Sequence, residues 1–193
     1  MSNDRKYFFS SDHHFFHKKV IGYTNRPFSC VEEMNEKMIE SHNRVVSPKD
    51  IVYFVGDFAF SNKEDDIVSI LKRMNGEKHF VMGNHDKVML KEKIKKQFAS
   101  FCESAHKEIY VPDEKVNGGK QFITLCHYAM KVWNRSHHGA FHLYGHSYGS
   151  MTDDPHSRSF DVGVDCWNFE PVSYEKVREI MLLKDWKPID NHE

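Results

Sequence analysis

"IVYFVGD", residues 51–57, decides the fold. Five consecutive β-branched or aromatic residues read as a strand buried on both faces, and Gly56 then Asp57 end it. The same pattern recurs along the chain. "FFSSDHH" (8–14) runs into Asp12 and His14, "FVMGNHD" (80–86) into Asn84, His85 and Asp86, "ITLCH" (123–127) into His127, and "HLYGH" (142–146) into His146. Five apolar runs each deliver a ligand-capable side chain at their carboxyl ends, where active sites form in open α/β sheets. In an extended segment residues i and i+2 point the same way, so Asp12 and His14 can reach one ion. Glycines before Asp57, Asn84 and His146 let the backbone turn sharply as each strand gives way to a loop.

Between these runs the spacing predicts helices. "VEEMNEKMIESHNRVV" (31–46) follows a capping-box pair, Ser29 with Glu32, and "KEDDIVSILKRM" (63–74) closes on Asn75-Gly76. "DKVMLKEKIKKQF" (86–98) reads as one more helix, with Lys91 to Lys96 on its solvated face. From residue 107 strands dominate. "KEIYVP" (107–112) and "QFITLCH" (121–127) flank a hairpin at Asn117-Gly118-Gly119, "AFHLYGH" (140–146) and "SFDVGVD" (159–165) follow, and "SYEKVREIMLL" (173–183) is a last helix behind Ser173. An alternating half followed by a strand-rich half predicts an α/β protein with two sheets and helices outside, in one domain over 1–193.

Composition narrows the function. The chain has 193 residues with 28% charged side chains and a net charge of -1, so no general field draws it to nucleic acid or acidic membranes. No apolar run approaches the roughly 20 residues of a membrane span, and the first twelve residues lack a signal-peptide core, so a cytoplasmic protein is expected. Four dispersed cysteines form no CxxC pair and are expected to be buried free thiols. Of 14 histidines, His42, His79, His106 and His192 are scattered, but the rest cluster near Asp and Asn, which suits transition-metal ligation.

The ordered set Asp-x-His, Gly-Asp, Gly-Asn-His-Asp, His and Gly-His resembles the calcineurin-like metallophosphoesterases, in particular their small prokaryotic and phage-type members. The resemblance runs from "SSDHHFFH" (10–17) to "YGHSYG" (144–149); "NRPF" (25–28), "HYAMKVWNRSHHG" (127–139) and "DVGVD" (161–165) share it. It implies a β-sandwich flanked by helices, in αββα layers, with two divalent transition metals at one edge. By that likeness Asp12 and His14 bind the first ion, Asp57 bridges both, and Asn84, His127 and His146 bind the second. His85 acts as general acid, with Asp86 orienting its ring. Mn, Fe, Ni and Zn all accept such donors. Two ions clamp a phosphoryl group and lower the pKa of a bound water to about 7. A carboxylate suits the bridge because it has two oxygens.

The implied activity is phosphoester hydrolysis, with phosphodiesters (cyclic nucleotides, nucleotide-derived diesters or nucleic-acid ends) ahead of monoesters or phosphoproteins. A non-catalytic metal-stabilised module is the other class. Candidate substrate contacts are His17, Arg26, Arg135 and Tyr148. Arg26 equally suits fixing its own loop. Trp133, in the "KVWNRSHHGAF" segment (131–141), suits anchoring that loop more than stacking on a base, and His137 or His138 could touch phosphate. The family carries a second His where this chain has Tyr148. Tyr148 then ligates the first ion through its phenol, or leaves that position weakened, or marks a degenerate site. The six remaining ligands favour the second reading. His142 lies roughly 13 Å from His146 along its strand, too far to substitute; His17 and His156 stay open as replacements.

Overall fold

A computed structural model describes residues 5–189; His192 lies outside that range. The chain forms two sheets with helices packed against them. Strands β1 (Tyr7–Ser10), β2 (Ile51–Val55), β3 (Glu77–Val81) and β4 (Ser100–Cys102) run parallel, and β9 (Val172–Ser173) pairs antiparallel with β1, in the order β4-β3-β2-β1-β9. The second sheet has β5 (His106–Pro112), β6 (Lys120–Cys126), β7 (Phe141–Tyr144) and β8 (Ser159–Asp161) in sequence order, antiparallel at β5/β6 and parallel beyond.

Alternation along each strand builds two cores. Phe8, Val52, Phe54 and Phe80 face one way, onto Met34 and Met38 of α2 (Val31–Val45) and Ile67 and Leu71 of α3 (Glu64–Arg73). Phe9, Tyr53, Val55 and Val81 face the other way, between the sheets, against Ile123, Leu125, Phe141 and Leu143, with Val177 and Met181 of α5 (Tyr174–Leu183). "IVYFV" is buried at all five positions because both of its faces are covered.

Several local expectations change. The stretch 86–98 is not one helix: a 3₁₀ turn (Asp86–Leu90) breaks at Lys91 before α4 (Glu92–Lys95). Met89 and Ile94 are both fully buried, yet a continuous helix would point residues five apart about 140° away from each other. The break turns both inward. The capping pair shifts by one residue: Cys30 is the N-cap of α2, its Sγ accepting from Glu33 N, while the Ser29 N–H and hydroxyl both donate to the Glu33 carboxylate. Cys30 and Cys166 are exposed, so buried thiols are not the rule. The elements α1 (Lys18–Tyr23), β4 and β9 have no counterpart in the sequence pattern, being six, three and two residues long. Among the described residues no helix is long and apolar enough to cross a membrane.

Candidate metal centre

Because β1, β2 and β3 are parallel, as are β6 and β7, their carboxyl ends deliver Asp12, Asp57, Asn84, His127 and His146 to one place. The first sheet is stitched to the second there: Ser11 N donates to Val162 O and Val164 N to Ser11 O, at 3.2 and 3.0 Å. Two groups of metal-capable atoms result, Asp12, His14 and Asp57 in one and Asp57, His127 and His146 in the other, with Asp57 common to both. Asp12, His14, Asp57 and His127 are buried, while Asn84, His85 and His146 are exposed, so the centre has a dry floor and an open side.

The carboxylates are split in function. Asp12 Oδ2 accepts from the His146 N–H at 2.9 Å, and Asp57 Oδ1 accepts from the His85 N–H at 2.9 Å. Their other oxygens, Asp12 Oδ1 and Asp57 Oδ2, are buried with no hydrogen-bond partner. Asp57 Oδ2 sits 3.6 Å from His14 Nε2 and 3.5 Å from His127 Nε2. Those gaps exceed a hydrogen bond. They match the roughly 2.8–3.6 Å between two ligand atoms on one ion at about 2.0–2.2 Å each. Asp57 Oδ2 is thus the oxygen that would be offered to both groups, Oδ1 being held by the His85 amide.

His127 carries the same message. Its Nδ1 lies 2.9 Å from the Val55 carbonyl, an acceptor only, so Nδ1 holds the proton. In the neutral ring Nε2 points a lone pair at Asn84 Oδ1, 3.0 Å away. Two acceptors face each other unless a proton or a cation lies between. Burial opposes charge on His127, yet Asp57 and Asp12 outweigh it and raise its pKa to about 9. Burial raises Asp12 to about 7 and lowers His14 to about 3. Orphaned carboxylate oxygens, and a His127 Nε2 that holds a proton where a cation would otherwise lie, fit two divalent cations. Backbone strain accompanies the arrangement: Asp12, His14, Asp57, His146 and Tyr148 all have positive φ, between 48° and 68°. Asp12 and His14 converge through these left-handed turns, not along an extended strand, at about 1–2 kcal/mol per residue.

The sequence profile of calcineurin-like phosphoesterases matches residues 6–190. The chain belongs to that family. It is also 34% identical over 183 residues to an uncharacterised protein of Methanocaldococcus jannaschii, covering 92% of each chain. A solved protein of unknown function from Aquifex aeolicus shares the fold, with a TM-score of 0.67 at 20% identity over 92% of this chain and 100% of that one. The family's chemistry is metal-dependent hydrolysis of phosphoesters, and this chain's Asp/His clusters supply donors for two ions of unspecified identity.

The remaining sequence-predicted site residues divide sharply. His17 borders the centre, 5.4 Å from the His14 ring and stacked on Phe60 at 4.4 Å. Tyr148 is also there, its hydroxyl 2.7 Å from His14 Nε2. Arg26 is buried, and all five of its N–H donors are taken: Asp165 receives two at 2.8 Å, and the Asp12 carbonyl, the His13 carbonyl and Met34 Sδ receive the others. It braces the Asp12 loop and has nothing left for phosphate. Asp86 does not orient the His85 ring. Its Oδ2 accepts from Asp57 N and Gly83 N at 2.6 and 2.7 Å, and its Oδ1 from Phe58 N at 2.9 Å. It clamps the Asp57 loop to the Gly83 loop.

Arg135 lies elsewhere, its guanidinium 5.1 Å from the Phe122 ring. Phe122 precedes His127 by five strand residues, roughly 16 Å. His138 lines the same distant hollow as Arg135. Trp133 is an anchor: it is buried and donates Nε1–H to Ala140 O at 3.1 Å. His142 ties the loop too, accepting from Met130 N while its Nδ1–H reaches Thr124 O. His156 contacts the Asp185 carbonyl and does not fold back to the centre. Two exposed aromatic side chains on the rim went unread in the sequence: Phe60, 51% exposed, and Tyr128, 42% exposed, which packs on the His127 and His146 rings. Each lies within three residues of a candidate ligand, which is the signal that could have found them.

Proposed function

We propose that the protein is a phosphodiesterase acting on small, nucleotide-derived diesters, with His85 as general acid. The observation that carries hydrolysis is Asp57 Oδ2, unpartnered, common to the two clusters and 3.6 and 3.5 Å from His14 Nε2 and His127 Nε2. Two divalent ions, when bound, supply Lewis acidity that activates water and neutralises phosphoryl charge. The chain's own residues then set position and proton traffic. Asp12 and Asp57 hold the floor through the His146 and His85 amides. His85 is exposed on the open side, its backbone pinned to Asp57 Oδ1 and its ring 6.1 Å from Phe60. Its imidazole can protonate a departing alkoxide there.

The preference for diesters rests on Arg26. A monoester dianion wants a free guanidinium, and the arginine nearest the centre has no donor to spare. The aromatic rim of Phe60, Tyr128 and Tyr148 suits a second ester group better than a second charge. Purified protein should contain, or bind, a transition metal, and with that metal it should turn over bis(p-nitrophenyl) phosphate faster than p-nitrophenyl phosphate. The reverse ratio would favour a monoesterase, and metal binding without hydrolysis of either a binding module. His85→Gln should lower kcat by about 10²–10⁴ on a diester with a poor alkyl leaving group, and by less on the aryl diester, which needs little protonation. Equal losses on both would remove His85 as the acid.

A further inference from the structure

A pocket of about 580 Å³ lies on the outer face of the second sheet and belongs to no ligand set described above. Its walls are continuations of the metal-centre loops. Ala129 and Met130 follow His127 by two and three residues, Met151 follows Tyr148 by three, and Tyr144 precedes His146 by two. Two residues span at most about 7 Å, so pocket and centre are neighbours. The opposite wall is Trp186 and Arg158.

Arg158 is the unusual member. Its guanidinium carbon lies 4.3 Å from the Trp186 ring and 5.9 Å from the Phe141 ring. Its Nε is buried with no hydrogen-bond partner. The carboxylate on the pocket wall, Asp154, is turned to its own loop, accepting from His156 N at 2.8 Å. Lys187 is paired with Asp185 at 2.7 Å. A guanidinium packed on the Trp186 indole, on the wall of a hollow lined by methionine, is built for an anion attached to a flat apolar body.

We propose that this pocket binds an aromatic ring bearing an anionic group, of the nucleoside monophosphate class, with the ring against Trp186 and the anion on Arg158. The pocket would receive the non-reacting arm of the diester, and that last step rests on the phosphoesterase reading.

Binding of AMP and of adenosine to chelator-treated protein tests the pocket, by Trp fluorescence and calorimetry. Without metal, the centre lacks the Lewis acids that would hold a phosphate. AMP should bind about tenfold more tightly than adenosine, the ratio expected for one charge-assisted contact. Arg158→Met should abolish that preference, Arg158→Lys should keep part of it, and Trp186→Leu should weaken both ligands. Equal binding of the two ligands to wild type, no binding of AMP, or a preference that survives in Arg158→Met would overturn the proposal. Arg158→Lys guards against loss of the fold in the methionine variant. Aryl diester hydrolysis by metal-loaded protein is read separately, so a failed pocket and a failed phosphoesterase reading give different results.

Discussion

Asp57 is the residue on which the centre turns, and Asp86 is what holds it. The Asp86 carboxylate, fully buried, accepts from three backbone amides on two loops. Burial and the Asp57 charge raise its pKa to about 6. Asp86→Asn keeps the shape but loses the charge and one acceptor. Metal affinity should fall about 10–100-fold, the usual effect of removing a group that orients a ligand, with the circular dichroism spectrum unchanged; unaltered affinity in a metal titration would refute the clamp. Tyr148 makes the opposite case. Its phenol occupies the contact on His14 Nε2, and burial together with Asp12 and Asp57 holds its pKa high, so it is a poor anionic ligand before metal arrives. Tyr148→His should tighten the first metal position and leave the second as it was. Identical affinity and stoichiometry in both proteins would show that Tyr148 does not weaken the site. Neither role was legible locally. The sequence places Asp86 beside His85, but its partners lie up to 29 residues away.

At the scale of elements, the strand-glycine-ligand units were legible because each is short, apolar and self-contained. The reason for their glycines was not. Gly56 does have a positive φ of 90°, but a Cβ on Gly83 would lie 2.3 Å from Asp57 Oδ1, and one on Gly145 2.0 Å from Ser11 Oγ and 2.4 Å from Asp12 Oδ2. Space for the neighbouring carboxylate, and at Gly145 for the Ser11 hydroxyl as well, more than a turn, requires glycine at the latter two. Gly83→Ala should therefore lose metal and cost about 1–3 kcal/mol in stability by overpacking. Gly22→Ala, with nothing within 4 Å of its Cβ, should do neither. A metal-replete Gly83→Ala protein would contradict the spatial argument. The split of 86–98 was equally hidden, since helical spacing is satisfied around Met89 and around Ile94 separately and only the core shows that both must point inward.

At the scale of the whole molecule, His42 and His142 lie away from the centre, buried and neutral. His42 reaches the Asn75 carbonyl from α2, and His142 ties β7 to the Thr124 carbonyl and the Met130 amide. Burial lowers each pKa from 6.5 to about 4. The unfolded chain binds these protons between those values and the native state does not. Stability is thus full above pH 6.5 and falls as pH drops toward 4, by on the order of 3 kcal/mol per histidine at the acid end. Thermal melts of chelated protein should show a shallower acid-side decline in His42→Gln than in wild type. Parallel curves would mean that His42 does not carry the effect.

The sequence by itself determined the family, the two-sheet architecture and the candidate donors Asp12, His14, Asp57, His127 and His146 that the structure gathers at one edge, because apolar strands run into them and parallel pairing brings such ends together. Only the tertiary structure decided which charged residues remain available. Arg26 and Asp86 stand within the same motifs as the ligands, yet Arg26 is taken by Asp165 across 139 residues and Asp86 by amides 28 and 29 residues away. Tyr148 reaches His14 across 134 residues. A motif names the donor and acceptor atoms; long-range hydrogen bonds determine which of them are already satisfied.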